Sequence, residues 1–488
     1  MSTIKDLEPK GVFSNFYSLT QIPRPSKKEA KVIAFMKQWG EEHGLETMVD
    51  PCGNVIIRKP ATPGMEDRKG IILQAHMDMV PQKNNDKKHD FTKDPIETRI
   101  VHQDDGDWVY ANGTTLGADD GLGVAAAMSV LESKTLKHGP IEALFTVDEE
   151  TRMVGAKALK PGVLKGDILL NLDSETEGEL YVGCAGGLDA NVTFKYKEAP
   201  MPKGYKAFQV IVTGLRGGHS GMEINEGRGN ANKVMARVLL PMVRHLKGKL
   251  VSFNGGNMRN AIPREAEAII ALPAEAENAA TKLVGSTLAT VKSELAAIDP
   301  NVSITIAPAK ASKIIAGTTG LKLLKALYAC PNAVDRMSLE VKDLVETSNN
   351  LAIVHTGKGM ITVNTLLRGS TDSLKEDLAE AVRCAFELAG AKVFFDGGYS
   401  GWVPNMKSPI LKTMKEQYKK LFGKEPAVMA IHAGLECGIL AGAYPNWDMI
   451  SCGPTLKSPH SPDERCFIPS VAKWWQFIQA VLEDAPKK

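Results

Sequence analysis

Three short apolar runs, each stopping on an ionisable side chain, constrain this chain more than any other feature. Ile71-Ile72-Leu73-Gln74-Ala75 runs into His76-Met77-Asp78. Ala143-Leu144-Phe145-Thr146-Val147 runs into Asp148-Glu149-Glu150, and Ile168-Leu169-Leu170-Asn171-Leu172 runs into Asp173. Apolar runs of this length, bounded by glycine, proline or charge, suit buried strands of an α/β sheet. Open α/β sheets place ligands beyond the carboxyl ends of their strands, so the groups ending these runs can converge on one crevice. A fourth contribution, Gly117-Ala118-Asp119-Asp120-Gly121, stands just ahead of an Ala- and Gly-rich helix over 121–131, with Asp119 read as a loop or N-cap residue.

The surrounding pattern extends this layout. A helical spacing over 26–43 ends near Gly44, a C-cap candidate, and Val55-Ile56-Ile57 reads as a further strand. After Gly186-Gly187 the texture changes: strands are expected over 207–213, 266–271, 302–307 and 360–367, separated by helices over 229–246 and 277–297. The last stretch resumes the α/β pattern and closes with a helix over 470–483. A chain of 488 residues exceeds one compact core. The expected organisation is therefore an α/β domain with a mixed sheet flanked by helices, split into 1–186 and 401–488 by an α+β domain over 187–400.

Composition excludes several classes. The formal charge is +2, from 59 basic and 57 acidic residues, without a basic stripe carrying interleaved aromatics, so no nucleic-acid partner is expected. No apolar run approaches about 18 residues and the N-terminus lacks an apolar h-region, so neither a membrane span nor a secretory leader is expected. The seven cysteines are scattered, odd in number and never spaced Cys-x-x-Cys. That argues for free thiols in a reducing compartment, and so a cytoplasmic location, and against a disulfide framework or a thiolate zinc site.

Taken singly, each acidic or histidine position is more simply a helix cap or a solvated strand end. Taken together, clustered carboxylates repel one another and need a cation to offset them. Imidazole with carboxylates is a ligand set that zinc accepts, with manganese or cobalt where oxygen dominates.

The order His-x-Asp, Gly-Ala-Asp-Asp-Gly, Glu-Glu, Asp and a late His460 in Ser458-Pro-His-Ser-Pro-Asp-Glu464 resembles the co-catalytic zinc peptidases that include carboxypeptidase G, aminoacylase and carnosinase. The resemblance covers essentially the whole chain, and Gly113-Thr-Thr-Leu-Gly-Ala-Asp-Asp-Gly-Leu-Gly123 is similar to the bacterial dipeptidase branch. It implies a zinc-peptidase domain interrupted by a lid domain, and two divalent ions, zinc first, with cobalt or manganese as alternatives. Asp119 would bridge both ions, His76 and Asp173 would complete one shell, and Glu150 and His460 the other. Asp78 would accept the second N–H of the His76 imidazole. Glu149 would be the general base; the residues alone leave open the reverse assignment with Glu150, and the family order decides it. Adjacent residues in extended chain point oppositely, which would let these neighbours serve different roles.

In the insert, the resemblance implies substrate-binding roles for His219 in Gly214-Leu-Arg-Gly-Gly-His-Ser-Gly221, for Asn260 and for Arg368; for each the simpler alternative is a surface turn or, for Arg368, a strand-end ion pair. Gly434, in Ile431-His-Ala-Gly-Leu-Glu-Cys-Gly438, would offer its backbone, while His432 and Glu436 could equally be packing or turn residues. The implied activity is hydrolysis of dipeptides, Xaa-His such as β-alanyl-histidine preferred. Competing readings are an N-acyl-amino-acid deacylase, a tripeptidase or, more distantly, a non-catalytic metal-binding scaffold. A homodimer is possible. Because lids of short relatives are roughly half this size, a lid of two similar halves that makes each subunit self-sufficient is a further expectation.

Overall fold

The computed structural model describes residues 3–84 and 86–488, which fall into two compact units. One comprises the chain up to Gly183 together with 402–430 and 435–488; the other comprises Cys184–Gly401 and Ile431–Gly434.

Among the described residues the first unit is built on a mixed sheet of eight strands. In order they are Glu46–Val49, Val55–Lys59, Ile141–Thr146, Ile71–His76, Ile168–Asn171, Asp448–Ser451, Glu179–Cys184 and Ala427–Ile431. Ile71–His76 is parallel to Ile141–Thr146 and to Ile168–Asn171, and the latter is parallel to Asp448–Ser451. The carboxyl ends of this parallel core therefore share one edge. Every residue of Ile71–His76, Ile141–Thr146 and Ile168–Asn171 is buried, which explains why these segments read as unbroken apolar runs and not as alternating ones. Antiparallel pairs extend the sheet on either side of this core.

Helix Ala118–Glu132 packs on the Ile71–His76 strand and on helix Lys10–Thr20. Small residues permit that approach: a Cβ at Gly121 would stand 3.0 Å from the Phe16 ring. Helices Ala30–Glu42, Pro409–Phe422 and Ile468–Glu483 complete the cover, the first ending at Gly44 with φ 69°. The fold is thus the α/β class expected, with a mixed sheet flanked by helices.

The second unit repeats one motif twice. Tyr205–Thr213, Ala231–His245, Lys249–Gly255, Ala266–Pro273, Glu277–Glu294 and Ser303–Ala309 form a β-α-β-β-α-β unit. Gly186–Lys195, Thr319–Ala329, Val345–Gly357, Met360–Gly369, Asp372–Glu387 and Lys392–Tyr399 form another. Numbering the strands within each motif, both adopt the order 4-1-3-2, and the two second strands meet where Gly255 pairs with Val354, so one antiparallel sheet runs through both. The first motif is nested between the first strand and first helix of the second. The short ladder Glu198–Pro200 with Lys313–Ile315 closes its neck. Among the described residues no helix is long and apolar enough to cross a membrane.

Candidate metal centre

At the carboxyl edge of the parallel strands, side chains from five separate segments meet. His76 Nε2 lies 3.0 Å from Asp119 Oδ1 and 3.4 Å from Asp173 Oδ1. His460 Nε2 lies 3.1 Å from Asp119 Oδ2 and 2.9 Å from Glu150 Oε2. Asp119 thus turns one oxygen to each imidazole, and all five expected ligands are brought into a single connected set. His76 and Asp173 arrive from adjacent parallel strands. Asp119 stands at the kinked start of its helix, with non-helical φ −81° and ψ 112°. Its neighbour Asp120 points elsewhere, accepting the backbone N–H of Gly123 and of His76.

The charge balance tests whether these residues suit a cation. The Asp119 carboxylate, then that of Glu150, push the His460 imidazole up to about 11. Burial works against charge on His76, yet Asp173, Asp119 and Asp78 raise it well above its ordinary value. Two imidazolium groups are still too few for the carboxylates present: burial drives Asp173 and Glu149 well above the usual carboxylate range. Glu150 Oε1 is buried without a hydrogen-bond partner among the described residues. A site that raises the proton affinity of both imidazoles and of two of its carboxylates, and strands a carboxylate oxygen, fits divalent cations.

Asp78 does more than the sequence suggested. Its Oδ1 is 3.5 Å from His76 Nδ1, but its own carbonyl is nearer, at 3.2 Å. The carboxylate also accepts N–H bonds from Glu149 at 3.0 Å and Glu150 at 3.3 Å, and Ser26 Oγ donates to it at 2.7 Å. Glu149 and Glu150 therefore do not lie in extended chain, which corrects that expectation. They open the helical turn Glu149–Arg152, entered through Asp148 at φ 52°, and Asp78 caps it. The two carboxylates diverge because successive helical residues are turned by about 100°. Asp148, Ser458 and His460, all near the ligands, hold positive φ without being glycine, the kind of local strain that collects at functional sites.

One layer beneath the ligands runs a buried polar row that the apolar patterning conceals. Thr146 Oγ1 and Gln74 Nε2 both donate to Glu436 Oε2, at 2.7 and 2.6 Å. Asn171 Nδ2 donates to Gln74 Oε1 at 2.5 Å, and Ser451 Oγ donates to Asn171 Oδ1. Gln74 and Asn171 each precede a ligand by two residues, on the same strand face. Their polarity inside otherwise apolar runs is the one signal the sequence offers for this row. Glu436 is fully buried at the start of helix Glu436–Ala443.

The remaining expected site residues belong to the second unit. His219 Nδ1 accepts N–H bonds from Gly221 and Met222, which puts the proton of the neutral ring on Nε2. Burial, then the Arg368 charge, keeps this ring below its ordinary pKa. Arg368 is buried, with only two long contacts, Nη1 to Tyr399 Oη and Nη2 to Ser220 Oγ, both 3.4 Å, and its Nε has no partner among the described residues. Gly434 leaves room for Tyr399: a Cβ there would stand 2.8 Å from the hydroxyl. His432 is buried with Nε2 2.7 Å from Ser348 Oγ. Asn260 is exposed, and its carbonyl accepts the Ser220 N–H at 2.9 Å.

Carboxylates and imidazoles converging on the carboxyl edge of an α/β sheet, beside an acid whose proton affinity desolvation raises, suit a metal-dependent hydrolase. Comparison with known proteins narrows that class. The model of peptidase family M20/M25/M40 matches residues 72–484. The chain is 43% identical over 491 residues to the cytosol non-specific dipeptidase of Escherichia coli K12, spanning all of both chains. It superposes on the crystal structure of aminoacylhistidine dipeptidase from Vibrio alginolyticus with a TM-score of 0.94 at 46% identity, over 100% of this chain and 99% of that one. Aminopeptidase PepT of Bacillus cereus shares the fold alone, at TM-score 0.58 and 17% identity over 98% and 99% of the two chains. The chain belongs to peptidase family M20/M25/M40.

Proposed function

We propose that the protein is a two-ion dipeptidase that cleaves Xaa-His dipeptides, β-alanyl-histidine among them, with zinc as its metal and cobalt or manganese as substitutes. The observation that carries this reading is the division of Asp119, one oxygen towards His76 and the other towards His460. In this reading His76 and Asp173 hold one ion, Glu150 and His460 the other, and Asp119 both. When bound, such a pair supplies Lewis acidity and an acidified water. Glu149, kept protonatable by burial, takes the proton from the attacking water and delivers it to the leaving amine. Asp78 fixes the His76 ring and the turn bearing Glu149. His219, with its proton on Nε2, is a donor for a developing oxyanion, and Arg368, short of partners, suits a substrate carboxylate. Asn260 and Gly434 complete the substrate-binding set. The names of the Escherichia coli and Vibrio relatives support dipeptides as the substrate class, and the former supports a cytosolic location.

Chelator-stripped protein should lose hydrolysis and regain it with zinc, cobalt or manganese. In the reloaded enzyme, kcat/KM for β-alanyl-histidine should exceed that for acetylated amino acids or tripeptides by at least about tenfold. A reversed order would replace this reading with the deacylase or tripeptidase alternative.

The twice-repeated β-α-β-β-α-β motif supports the doubled-lid reading, in which each chain works alone even where a homodimer forms. Turnover per chain should then stay constant on dilution through any dimer dissociation, followed by light scattering. A loss proportional to dissociation would reject it.

A further inference from the structure

Glu464 lies four residues beyond His460 and is only 2% exposed. Its carboxylate is used in an unusual way. Oε2 accepts the backbone N–H groups of Leu116 and Gly117 at 2.8 and 3.0 Å, and Oε1 those of Ala118 and Asp119 at 2.7 and 3.3 Å. Four consecutive amides, ending on Asp119, therefore point into one carboxylate, and these are charge-assisted bonds of the strong kind. The carbonyl side of the same loop is held as well. Arg24 donates from Nη2 to the Gly117 carbonyl at 2.5 Å and from Nη1 to the carbonyls of Met77 and Asp78 at 2.9 and 3.1 Å. The loop carrying Asp119 is thus clamped between a carboxylate tied to the His460 segment and a guanidinium tied to the His76 segment.

We infer that Glu464 is a positioning residue that sets the Asp119 carboxylate in register with the His460 imidazole, and so couples the two halves of the metal centre. The inference rests on the reading of Asp119 and His460 as ligands. Its physical basis is the leverage of the arrangement. Asp119 and Glu464 are 345 positions apart in sequence, and the tie holds the Asp119 loop to the segment carrying His460, whose Nε2 approaches Asp119 Oδ2. His76 and Asp173, by contrast, are anchored by the sheet itself. Loss of the tie should therefore fall mainly on the ion held with His460.

The test is a calorimetric zinc titration of metal-stripped, substrate-free protein. Glu464→Gln keeps the size of the side chain but turns an NH2 group towards amide donors. The matched control is Glu142→Gln: Glu142 is also buried, and its carboxylate accepts the N–H groups of Lys165 and Gly166, but it lies towards the amino end of its strand. Wild-type protein and Glu142→Gln should each bind two ions. In Glu464→Gln one ion should weaken by about 10–100-fold while the other changes less. Unchanged binding in Glu464→Gln overturns the inference, and so does an equal loss in Glu142→Gln, which would mean a general cost of losing a buried carboxylate. If Glu464→Gln does not fold, Glu464→Asp, which keeps the charge but withdraws it by one methylene, takes the same test. Wild-type protein that never binds a second ion would instead overturn the two-ion reading, a failure that the unmodified chain alone reveals.

Discussion

Replacing Glu149 with glutamine should lower kcat for dipeptide hydrolysis by about 10²–10⁴-fold, the usual worth of a positioned general base, while leaving the bound metal unchanged. Burial raises the affinity of the Glu149 carboxylate for protons, as a group that must accept and then release one requires. Its backbone N–H is held by Asp78, so the amide substitution leaves the turn intact. The contacts to the Nε2 atoms of the two imidazoles come instead from Asp119, Glu150 and Asp173. Steady-state kinetics and metal analysis on the same preparation decide the matter. Full activity would remove Glu149 from the role of base. Loss of metal along with activity would make Glu149 a ligand and restore the reverse assignment, with Glu150 as the base.

Asp119→Ala should be more damaging, because it removes an oxygen from both halves of the centre at once. The variant should bind fewer than two ions under conditions in which the wild type holds both. Hydrolysis should fall by about 10³–10⁵-fold, equivalent to several kcal/mol of lost charge stabilisation. Asp173→Ala should spare the ion held with His460, because among the described residues the Asp173 carboxylate pairs with the His76 imidazole and not with that of His460. Metal titration separates the two variants: equal behaviour would mean that Asp119 does not serve both halves.

Much of this centre is legible in the amino-acid sequence, and particular residues show why. His76, Glu150 and Asp173 follow apolar runs whose length and burial are those of interior strands, so their convergence needs only the rule that parallel strands open their carboxyl ends to one edge. Asp119 carries its own signal in a glycine-flanked loop ahead of a small-residue helix. Glu149 and Glu150 diverge as expected but for a different reason, since the helical turn depends on a cap from Asp78, which lies on a different strand end. The nested motif is hidden because the second motif's first strand, Gly186–Lys195, is parted from its first helix, Thr319–Ala329, by the whole of the first motif.

The sequence by itself determined the α/β class of the first unit, because apolar runs of this length mark buried strands, and its resemblance to the zinc peptidases singled out the five side chains that meet at the carboxyl edge. Only the tertiary structure decided what lies around them: the Gln74–Asn171–Ser451 row, the buried Glu436, and the hold of Glu464 and Arg24 on the Asp119 loop. These groups act through ordinary hydrogen bonds, many of them to backbone amides and carbonyls that every residue possesses. Apart from the polarity of Gln74 and Asn171 inside apolar runs, local composition carries no trace of such a partner, which becomes specific only when folding brings segments hundreds of residues apart into contact.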